Sequence, residues 1–214
     1  MRTDDVNRGV AESFWDELYG KQERVWSGNP NAILVGKVTG LTSGTALDLG
    51  CGEGADAIWL AQQGWRVTAV DVSQTALRRA EGHAESAGVS KNIDWQQHDL
   101  TFSFPDGSFD LVSAQFLHSP VDFPRERILR TAAGAVAPGG RLLVVGHAGV
   151  PPWAPNHQSE VYLPTPQDVL ESLQIDPEQW KVELLESPTR DAIGPAGQSA
   201  TLTDSVLMVM RLTS

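Results

Sequence analysis

A glycine-rich loop between two acids has the clearest chemical potential in this sequence. Residues 47–54 read LDLGCGEG and overlap the end of a short apolar run at residues 45–51 that is typical of a buried strand. Apolar residues at helical spacing follow in 55–63, so the glycines form a strand-to-helix turn. Glycine lets backbone approach a ligand closely because it carries no Cβ atom. The loop therefore predicts a cofactor site, with Cys51 packing inside the turn rather than acting as a nucleophile.

Two aspartates help to identify the cofactor. The loop also fits the dinucleotide pattern G-x-G-x-x-G/A, and Asp71 lies about 20 residues further on, where a ribose-binding acid is expected. Asp48, however, ends the strand where a dinucleotide would place its pyrophosphate. Two like charges about 4 Å apart repel by roughly 4 kcal/mol at a dielectric near 20, and no Lys or Arg lies between Asp48 and Arg66 to offset this. A carboxylate instead favours the sulfonium and ammonium of S-adenosylmethionine (SAM). The alternative for either aspartate is a helix cap or turn residue.

The elements around the loop alternate between strand and helix. Gly64 ends the first helix, and Ser73 is a candidate N-cap for a helix reaching about residue 87. Pro138-Gly139-Gly140 is expected to stop a later helix and turn the chain. This alternation predicts a parallel sheet covered by helices on both faces. The strands are predicted at 66–72, 93–99, 109–116 and 141–145, and the last helix before the turn at 125–136.

The two ends of the chain have a different character. Val10, Phe14 and Leu18 form an apolar stripe on an N-terminal helix. Residues 146–166 are rich in proline and glycine and predict a long loop, after which Thr165 caps a helix. Strands at 181–185 and 205–212, separated by a Gly/Pro-rich stretch, predict a hairpin-like closure. We expect one domain over 1–214, with a helical cap at 1–40, a core at 45–145, a substrate-side loop at 146–166 and a C-terminal helix and strands at 167–214.

Five motifs together make the sequence resemble the class I SAM-dependent methyltransferases. They are LDLGCGEG (47–54), AVDVS (69–73), HDL (98–100), FDLVSAQFLH (109–118) and APGGRLLVV (137–145). The order and spacing of the five are more specific than any one of them. The resemblance extends to small-molecule enzymes of the tellurite-resistance and thiopurine type. It implies a Rossmann-like α/β fold with a seven-stranded, mostly parallel sheet of order 3-2-1-4-5-7-6, whose last strand is antiparallel.

The resemblance also implies which residues hold SAM. The loop glycines would pass under its methionine part, Asp71 would hold the ribose, and acceptors and apolar groups would surround the adenine. In small-molecule relatives an N-terminal helix closes over the cofactor, and the N-terminal aromatics here look similar, although they could simply pack that helix onto the sheet. The expected cofactor-binding residues are Trp15, Tyr19, Trp26, Asp48, Gly50, Cys51, Gly52, Gly54, Asp71, Val72, Asp99, Leu100, Gln115 and Phe116.

Two histidines are the candidates for catalysis. His118 and His147 follow strands that would be neighbours, and ligands of open α/β sheets bind beyond the carboxyl ends of the strands. Either could be a general base or could line the acceptor pocket. His157 adds a third imidazole, but the spacing matches no local zinc pattern and no metal is expected. Residues 147–163, with Trp153, are interpreted as a substrate lid; the alternative is a surface connection with a packed tryptophan.

The composition limits the partners and the compartment. A net charge of -11 disfavours nucleic acid and favours a small-molecule methyl acceptor. A single cysteine, Cys51, fits a reducing compartment, and the absence of a long apolar segment leads us to expect a cytoplasmic protein without a membrane span. Two rival functions stay open at this point. An NAD(P)-dependent oxidoreductase is disfavoured by Asp48 and by the lack of a Tyr-x-x-x-Lys pair, and a non-catalytic SAM-binding module is disfavoured by the intact motifs.

Overall fold

The computed structural model describes residues 9–153, 163–194 and 196–213. The chain alternates strands and helices from the first strand onward, and a short 3₁₀ turn, Ser90–Asn92, precedes the third strand. The strands are β1 Thr45–Leu49, β2 Arg66–Asp71, β3 Ile93–Gln97, β4 Phe109–Gln115, β5 Val136–His147, β6 Trp180–Glu186, β7 Thr189–Ile193 and β8 Ser199–Arg211. The helices are α1 Val10–Gly20, α2 Ala32–Val38, α3 Ala55–Gln62, α4 Gln74–Ser86, α5 Arg125–Gly134 and α6 Pro166–Leu173.

The main sheet has the order β3-β2-β1-β4-β5-β8-β6. The first five strands of this order are parallel, and β8 runs antiparallel to both β5 and β6. This confirms the predicted fold, with β8 in the position expected for the seventh strand. The parallel arrangement brings the carboxyl ends of β1, β2, β4 and β5 to one edge of the sheet, where ligands bind in such folds.

The extra strand β7 was not predicted. The Gly/Pro-rich stretch that was expected only to separate two strands instead forms β7, which pairs with the first residues of β8 from Thr189↔Thr203 to Ile193↔Ser199. Four of its five residues are exposed, so the strand lacks the apolar alternation by which a sequence reveals a strand. β8 accordingly begins at Ser199 rather than at residue 205.

The prediction of a turn at Pro138-Gly139-Gly140 was wrong. These residues lie inside β5, which runs without interruption from Val136 to His147. The pairing of β4 with β5 shifts register between Phe109 and Leu111, so the three residues form an irregular stretch of strand. A Cβ atom on Gly140 would lie 2.8 Å from the carbonyl oxygen of Phe109, which explains why glycine occupies this close contact.

The sheet buries apolar side chains on both faces. On one face Ile128 and Leu129 of α5 and Val169 of α6 pack against the sheet, and on the other Leu34 of α2 and Leu60 of α3 do so. The caps agree with the prediction: the hydroxyl of Ser73 accepts from the N–H of Ala76 at 3.1 Å, and Thr165 forms a capping box with Asp168. In the described part of the chain, every helix is too short or too polar to cross a membrane.

Candidate functional site

The glycine loop wraps the end of β2. The backbone N–H groups of Gly50 and Cys51 both donate to the carbonyl oxygen of Val70, at 2.8 and 2.9 Å. The N–H of Gly52 donates to Oδ2 of Asp71 at 2.9 Å. These bonds hold the turn against the carboxyl end of the strand and bring Asp71 beneath it.

Close contacts explain two of the glycines. Gly52 has φ 54°, and a Cβ atom there would lie 2.9 Å from the hydroxyl oxygen of Tyr19. A Cβ atom on Gly54 would lie 2.7 Å from the Trp95 ring and 2.8 Å from the Cβ of Ala80. Gly54 is therefore explained by the packing of α3 between α4 and β3, whereas Gly52 admits the N-terminal segment to the loop. The cofactor role expected for Gly54 stays a prediction.

Asp71 serves the loop and has acceptor capacity left. Its Oδ1 accepts from the N–H of Ser73 at 2.9 Å, and its Oδ2 accepts from Gly52. Burial raises the pKa of Asp71, although these backbone N–H groups oppose that shift. An ionised carboxylate offers about four lone-pair sites, so acceptor capacity remains for the ribose hydroxyls. Asp71 thus makes the turn contacts that were the alternative to ribose binding, and these contacts do not preclude ribose binding.

Asp48 is a buried carboxylate at the end of β1. It is 2% exposed, and its Oδ2 has no hydrogen-bond partner among the described residues. Burial first, and then the charges of Asp56 and Asp71, raise its pKa well above the ordinary value. A cation bound at the loop would compensate this carboxylate, whereas a phosphate would repel it. The site therefore suits a cationic cofactor.

Asp56 gives the loop region a pH-dependent stability. Burial raises its pKa to about 6, although its carboxylate accepts from the N–H of Asn31 at 2.6 Å. The folded protein then holds a proton that the unfolded chain releases near pH 4, so this residue's contribution to stability falls as the pH rises through about 4 to 6.

We expect Asp56→Asn to raise the free energy of unfolding by about 1–3 kcal/mol at pH 8 and to change it little at pH 4. The amide oxygen of the new asparagine side chain still accepts from the N–H of Asn31, and the substitution removes the buried negative charge. Urea unfolding at the two pH values measures this difference. Glu85→Gln makes the same charge change at an exposed position of α4 and should show no such dependence. A stabilisation of equal size at both pH values would contradict the assignment.

Two of the three predicted N-terminal aromatics reach the loop. Tyr19 is 3% exposed and lies beside Gly52, and its hydroxyl accepts from Nε1 of Trp26 at 2.9 Å. Burial and the charge of Asp71 raise the pKa of Tyr19. Trp15 instead packs along its own helix, with its ring centroid 6.2 Å from that of Tyr19. The structure therefore brings Tyr19 and Trp26 to the loop and leaves Trp15 one side chain away.

Sequence reasoning missed the acid that holds this segment. Glu53 lies inside the glycine motif and is 6% exposed. Its Oε2 accepts from the backbone N–H groups of Val25 and Trp26 at 3.1 and 3.2 Å, and its Oε1 pairs with Arg79 at 3.0 Å. Arg79 in turn donates to the carbonyl oxygen of Tyr19 at 2.7 Å. The sequence did carry one sign of this role, because Glu53 is a charged residue between two glycines of a tight turn.

A second missed acid fastens α1 to the start of α4. Oδ1 of Asp16 accepts from the hydroxyl of Ser73 at 2.5 Å and from the N–H of Thr75 at 2.9 Å. These hydrogen bonds lower the pKa of Asp16 and outweigh the opposing effect of its burial. Nothing in the local sequence indicated this contact, because it joins residues far apart in the chain.

A cleft of about 340 Å³ lies at the ends of β2 and β3. Val72 and Asp99, the expected adenine neighbours, both line it, and Oδ1 of Asp99 accepts from the N–H of Thr101 at 2.9 Å. Leu100 does not line the cleft and packs against the core on the α5 side. The full lining is Gly9, Glu12, Val72, Gln97, Asp99, Phe102 and Ser103.

The opposite side of the loop meets the end of β4. A Cβ atom on Gly50 would lie 2.7 Å from a methyl carbon of Leu117, so the two segments touch. Gln115 donates from Nε2 to the hydroxyl of Ser113 at 3.0 Å, and its buried Oε1 has no partner in the described ranges. Phe116 follows with φ 50°, a conformation that costs energy in a bulky residue and is typical of functional turns.

The two candidate catalytic histidines meet at this edge. The ring of His147 lies 4.4 Å from that of Phe116 and is stacked at 5.9 Å on that of His118, centroid to centroid. The structure therefore brings together an aromatic ring and two imidazoles beyond the carboxyl ends of β4 and β5. Imidazole nitrogens at this edge can take up a proton.

The environments of the two histidines differ. Burial, together with the charges of Arg125 and His147, lowers the pKa of His118 to about 4. Its Nε2 is buried, lies 3.1 Å from where a Cβ atom of Gly146 would stand, and has no partner within the described chain. The side chain of His147 is 36% exposed. His147 is therefore the more accessible base.

Trp153 lies against the turn between β7 and β8. Two of its ring carbons are 2.7 Å from the position that a Cβ atom of Gly194 would take, and the residue is half-buried. His157 and most of the predicted lid lie outside the described residues. The lid function of residues 147–163 stays a prediction.

Comparisons with known proteins agree with this geometry. A family model described as "Methyltransferase domain" matches residues 46–140. The 2-heptyl-1-hydroxyquinolin-4(1H)-one methyltransferase of Mycobacteroides abscessus is 31% identical over 172 residues, which cover 77% of this chain and 71% of that protein. The ubiquinone biosynthesis O-methyltransferase of Coxiella burnetii is 30% identical over 135 residues, which cover 62% of this chain and 56% of that protein.

Solved structures show the same fold. TehB from Haemophilus influenzae has a TM-score of 0.68 at 16% identity, covering 95% of this chain and 67% of that one. The magnesium protoporphyrin IX methyltransferase of Synechocystis, with bound SAH, has a TM-score of 0.63 at 16% identity. The match covers 98% of this chain and 100% of that one. At these identities the likeness concerns the fold alone.

Proposed function

Because this chain belongs to the class I SAM-dependent methyltransferase family, we propose that it methylates a hydroxyl oxygen of a small aromatic acceptor. One observation carries the proposal: the accessible imidazole of His147 lies 4.4 Å from the Phe116 ring at the sheet edge that adjoins the glycine loop. The names of two relatives support an acceptor of this class, since one acts on a hydroxyquinolinone and the other is an O-methyltransferase of ubiquinone biosynthesis.

The residues around the glycine loop fit SAM. The unpaired buried oxygen of Asp48 suits a cation, and the tight turn brings backbone close to a ligand. When bound, SAM supplies a methyl group already activated on a sulfonium. The residues that would hold it are Gly50 and Gly52 for the methionine part, Asp71 for the ribose, Val72 and Asp99 for the adenine, and Gln115 and Phe116 near the sulfonium.

The protein's own task is to align the acceptor, exclude water and remove a proton. Alignment within a closed site accelerates a displacement because it replaces a bimolecular encounter. A hydroxyl acceptor also needs a base, and a base works best when its pKa lies near the working pH. His118, with a pKa of about 4, is a poor base at neutral pH. We therefore assign proton removal to His147.

The net charge of -11 favours a small acceptor over nucleic acid. The decisive experiment has two parts. Calorimetric titration should show saturable binding of SAM and none of NADH. Methyl-labelled SAM should then label a hydroxyquinolinone or a catechol but not RNA. Binding of NADH in place of SAM, or methylation of RNA in preference to the aromatic acceptors, would refute the proposal.

A further inference from the structure

His147 faces a buried carboxylate across the sheet. His147 of β5 and Asp204 of β8 are directly paired in the antiparallel ladder, and Nδ1 lies 3.7 Å from Oδ1. Asp204 is 1% exposed, and this Oδ1 has no hydrogen-bond partner in the described parts of the chain. A buried carboxylate oxygen without a partner is costly, and the imidazole is the donor placed to satisfy it.

The other oxygen of the same carboxylate is already fixed. Nε of Arg190 on β7 donates to Oδ2 of Asp204 at 2.7 Å, and the guanidinium carbon stands 5.8 Å from the centroid of the Phe116 ring. The backbone N–H of Asp204 donates to the carbonyl oxygen of Pro188 at 2.9 Å. Burial raises the pKa of Asp204, but the contacts with His147 and Arg190 outweigh it and hold the pKa below its usual value.

We propose that Asp204, held by Arg190, is a positioning residue that fixes His147 in one tautomer. Nδ1–H is donated to Asp204, and Nε2 is left unprotonated toward the acceptor. The proton of the acceptor hydroxyl passes to Nε2, whose lone pair forms the new N–H bond, and the oxygen keeps the electron pair of the broken O–H bond. The charge of Asp204 then stabilises the imidazolium. This inference rests on the proposed function.

The distance of 3.7 Å exceeds a hydrogen bond by about an ångström. Side chains that are directly opposite in an antiparallel pair have Cβ atoms only about 4.5–5.5 Å apart, so a small side-chain rotation closes the gap. Catalytic hydrogen bonds are often long before the ligands bind and tighten in the complex. The contact therefore needs no movement of the backbone.

The other charged groups described around His147 are not acids and cannot replace Asp204 in this role. His118 stacks on it from the end of β4, and Arg125 reaches Gly146 from the start of α5. Arg190 comes from β7 and Asp204 from β8. Of these four groups, Asp204 is the one acid, so it is the one whose charge can stabilise the imidazolium of His147.

The test reads the tautomer directly, by ring-nitrogen NMR of the ¹⁵N-labelled protein with S-adenosylhomocysteine at pH 8. At this pH an ordinary histidine is neutral. The two ring-nitrogen signals that disappear in His147→Gln belong to this residue. We expect Nδ1 protonated and Nε2 unprotonated in the wild-type protein, and a shift of both signals toward each other in Asp204→Asn. Asp191→Asn removes the charge of an exposed neighbour on β7 and should leave both signals in place.

The spectrum of the wild-type protein decides the matter even where Asp204→Asn fails to fold. Protonation of His147 on Nε2, or an unchanged tautomer in a folded Asp204→Asn, would overturn the inference. Because this measurement needs no turnover, a failure of the acceptor assay counts against the proposed function and not against the positioning role. With an acceptor that is turned over, kcat should fall about 10- to 100-fold in Asp204→Asn at unchanged SAM affinity, as expected for a group acting through another.

Discussion

His147→Ala is expected to lower the rate of methyl transfer about 10²- to 10⁴-fold, the range that a positioned general base contributes. This corresponds to a rise of about 2.7–5.5 kcal/mol in the activation free energy. The side chain is partly exposed, and among the residues expected to hold SAM it lies against the Phe116 ring, so SAM affinity should change far less than the rate. Single-turnover rates with a hydroxyl acceptor, together with SAM titration, measure the two effects separately.

His118→Gln is the matched comparison. His118 is buried against Gly146 and has a pKa of about 4, so its replacement should affect stability more than the chemical step. A His147→Ala variant that transfers methyl groups at the wild-type rate, or a folded His118→Gln variant that loses more activity than His147→Ala, would show that the base is assigned to the wrong residue.

Asp71→Ala is expected to weaken SAM binding at least tenfold. A hydrogen bond to a charged group contributes about 1.5–3 kcal/mol, and two such bonds to the ribose correspond to about 10²- to 10⁴-fold in affinity. Calorimetric titration gives this change directly. Asp94→Ala, at an exposed position on β3, removes an equal charge from the same sheet and should bind SAM like the wild-type protein.

Asp71 also accepts from Gly52 and Ser73, so its removal loosens the loop as well as the ribose contact. Asp71→Asn separates the two effects, because the amide oxygen can keep one of these backbone bonds. We expect it to melt closer to the wild-type temperature than Asp71→Ala and still to bind SAM weakly. Unchanged SAM affinity in a folded Asp71→Ala variant would remove Asp71 from the site.

Local signals were enough to predict most of the fold. The glycine turn, the Ser73 cap and the Thr165 cap depend on residues adjacent in sequence, and the structure confirms them. The strand order came from the resemblance and is also confirmed. The irregular stretch at Pro138-Gly139-Gly140 was mistaken for a turn because its conformation depends on the partner strand β4, which the local sequence does not reveal.

The less local parts of the site could not be predicted in the same way. Asp204 precedes the apolar run SVLMVM and gives no sign that it will pair with His147, because antiparallel register is set by the whole sheet closure. Arg190 lies on an exposed strand without a periodic pattern. Glu53 and Arg79 interact across the gap between a turn and a helix. Each of these contacts depends on tertiary geometry, whereas sequence patterns report mainly on secondary structure.

The attachment of residues 19–26 to Glu53 has a consequence for the order of events in a catalytic cycle. Glu53 belongs to the glycine loop and at the same time accepts from the backbone of Val25 and Trp26. The glycine loop and residues 19–26 thus share one anchor, and displacing this segment from the loop requires these bonds to break. We propose that cofactor exchange needs this displacement. The frequency of opening would then set an upper limit on turnover, however fast the chemistry at His147 becomes.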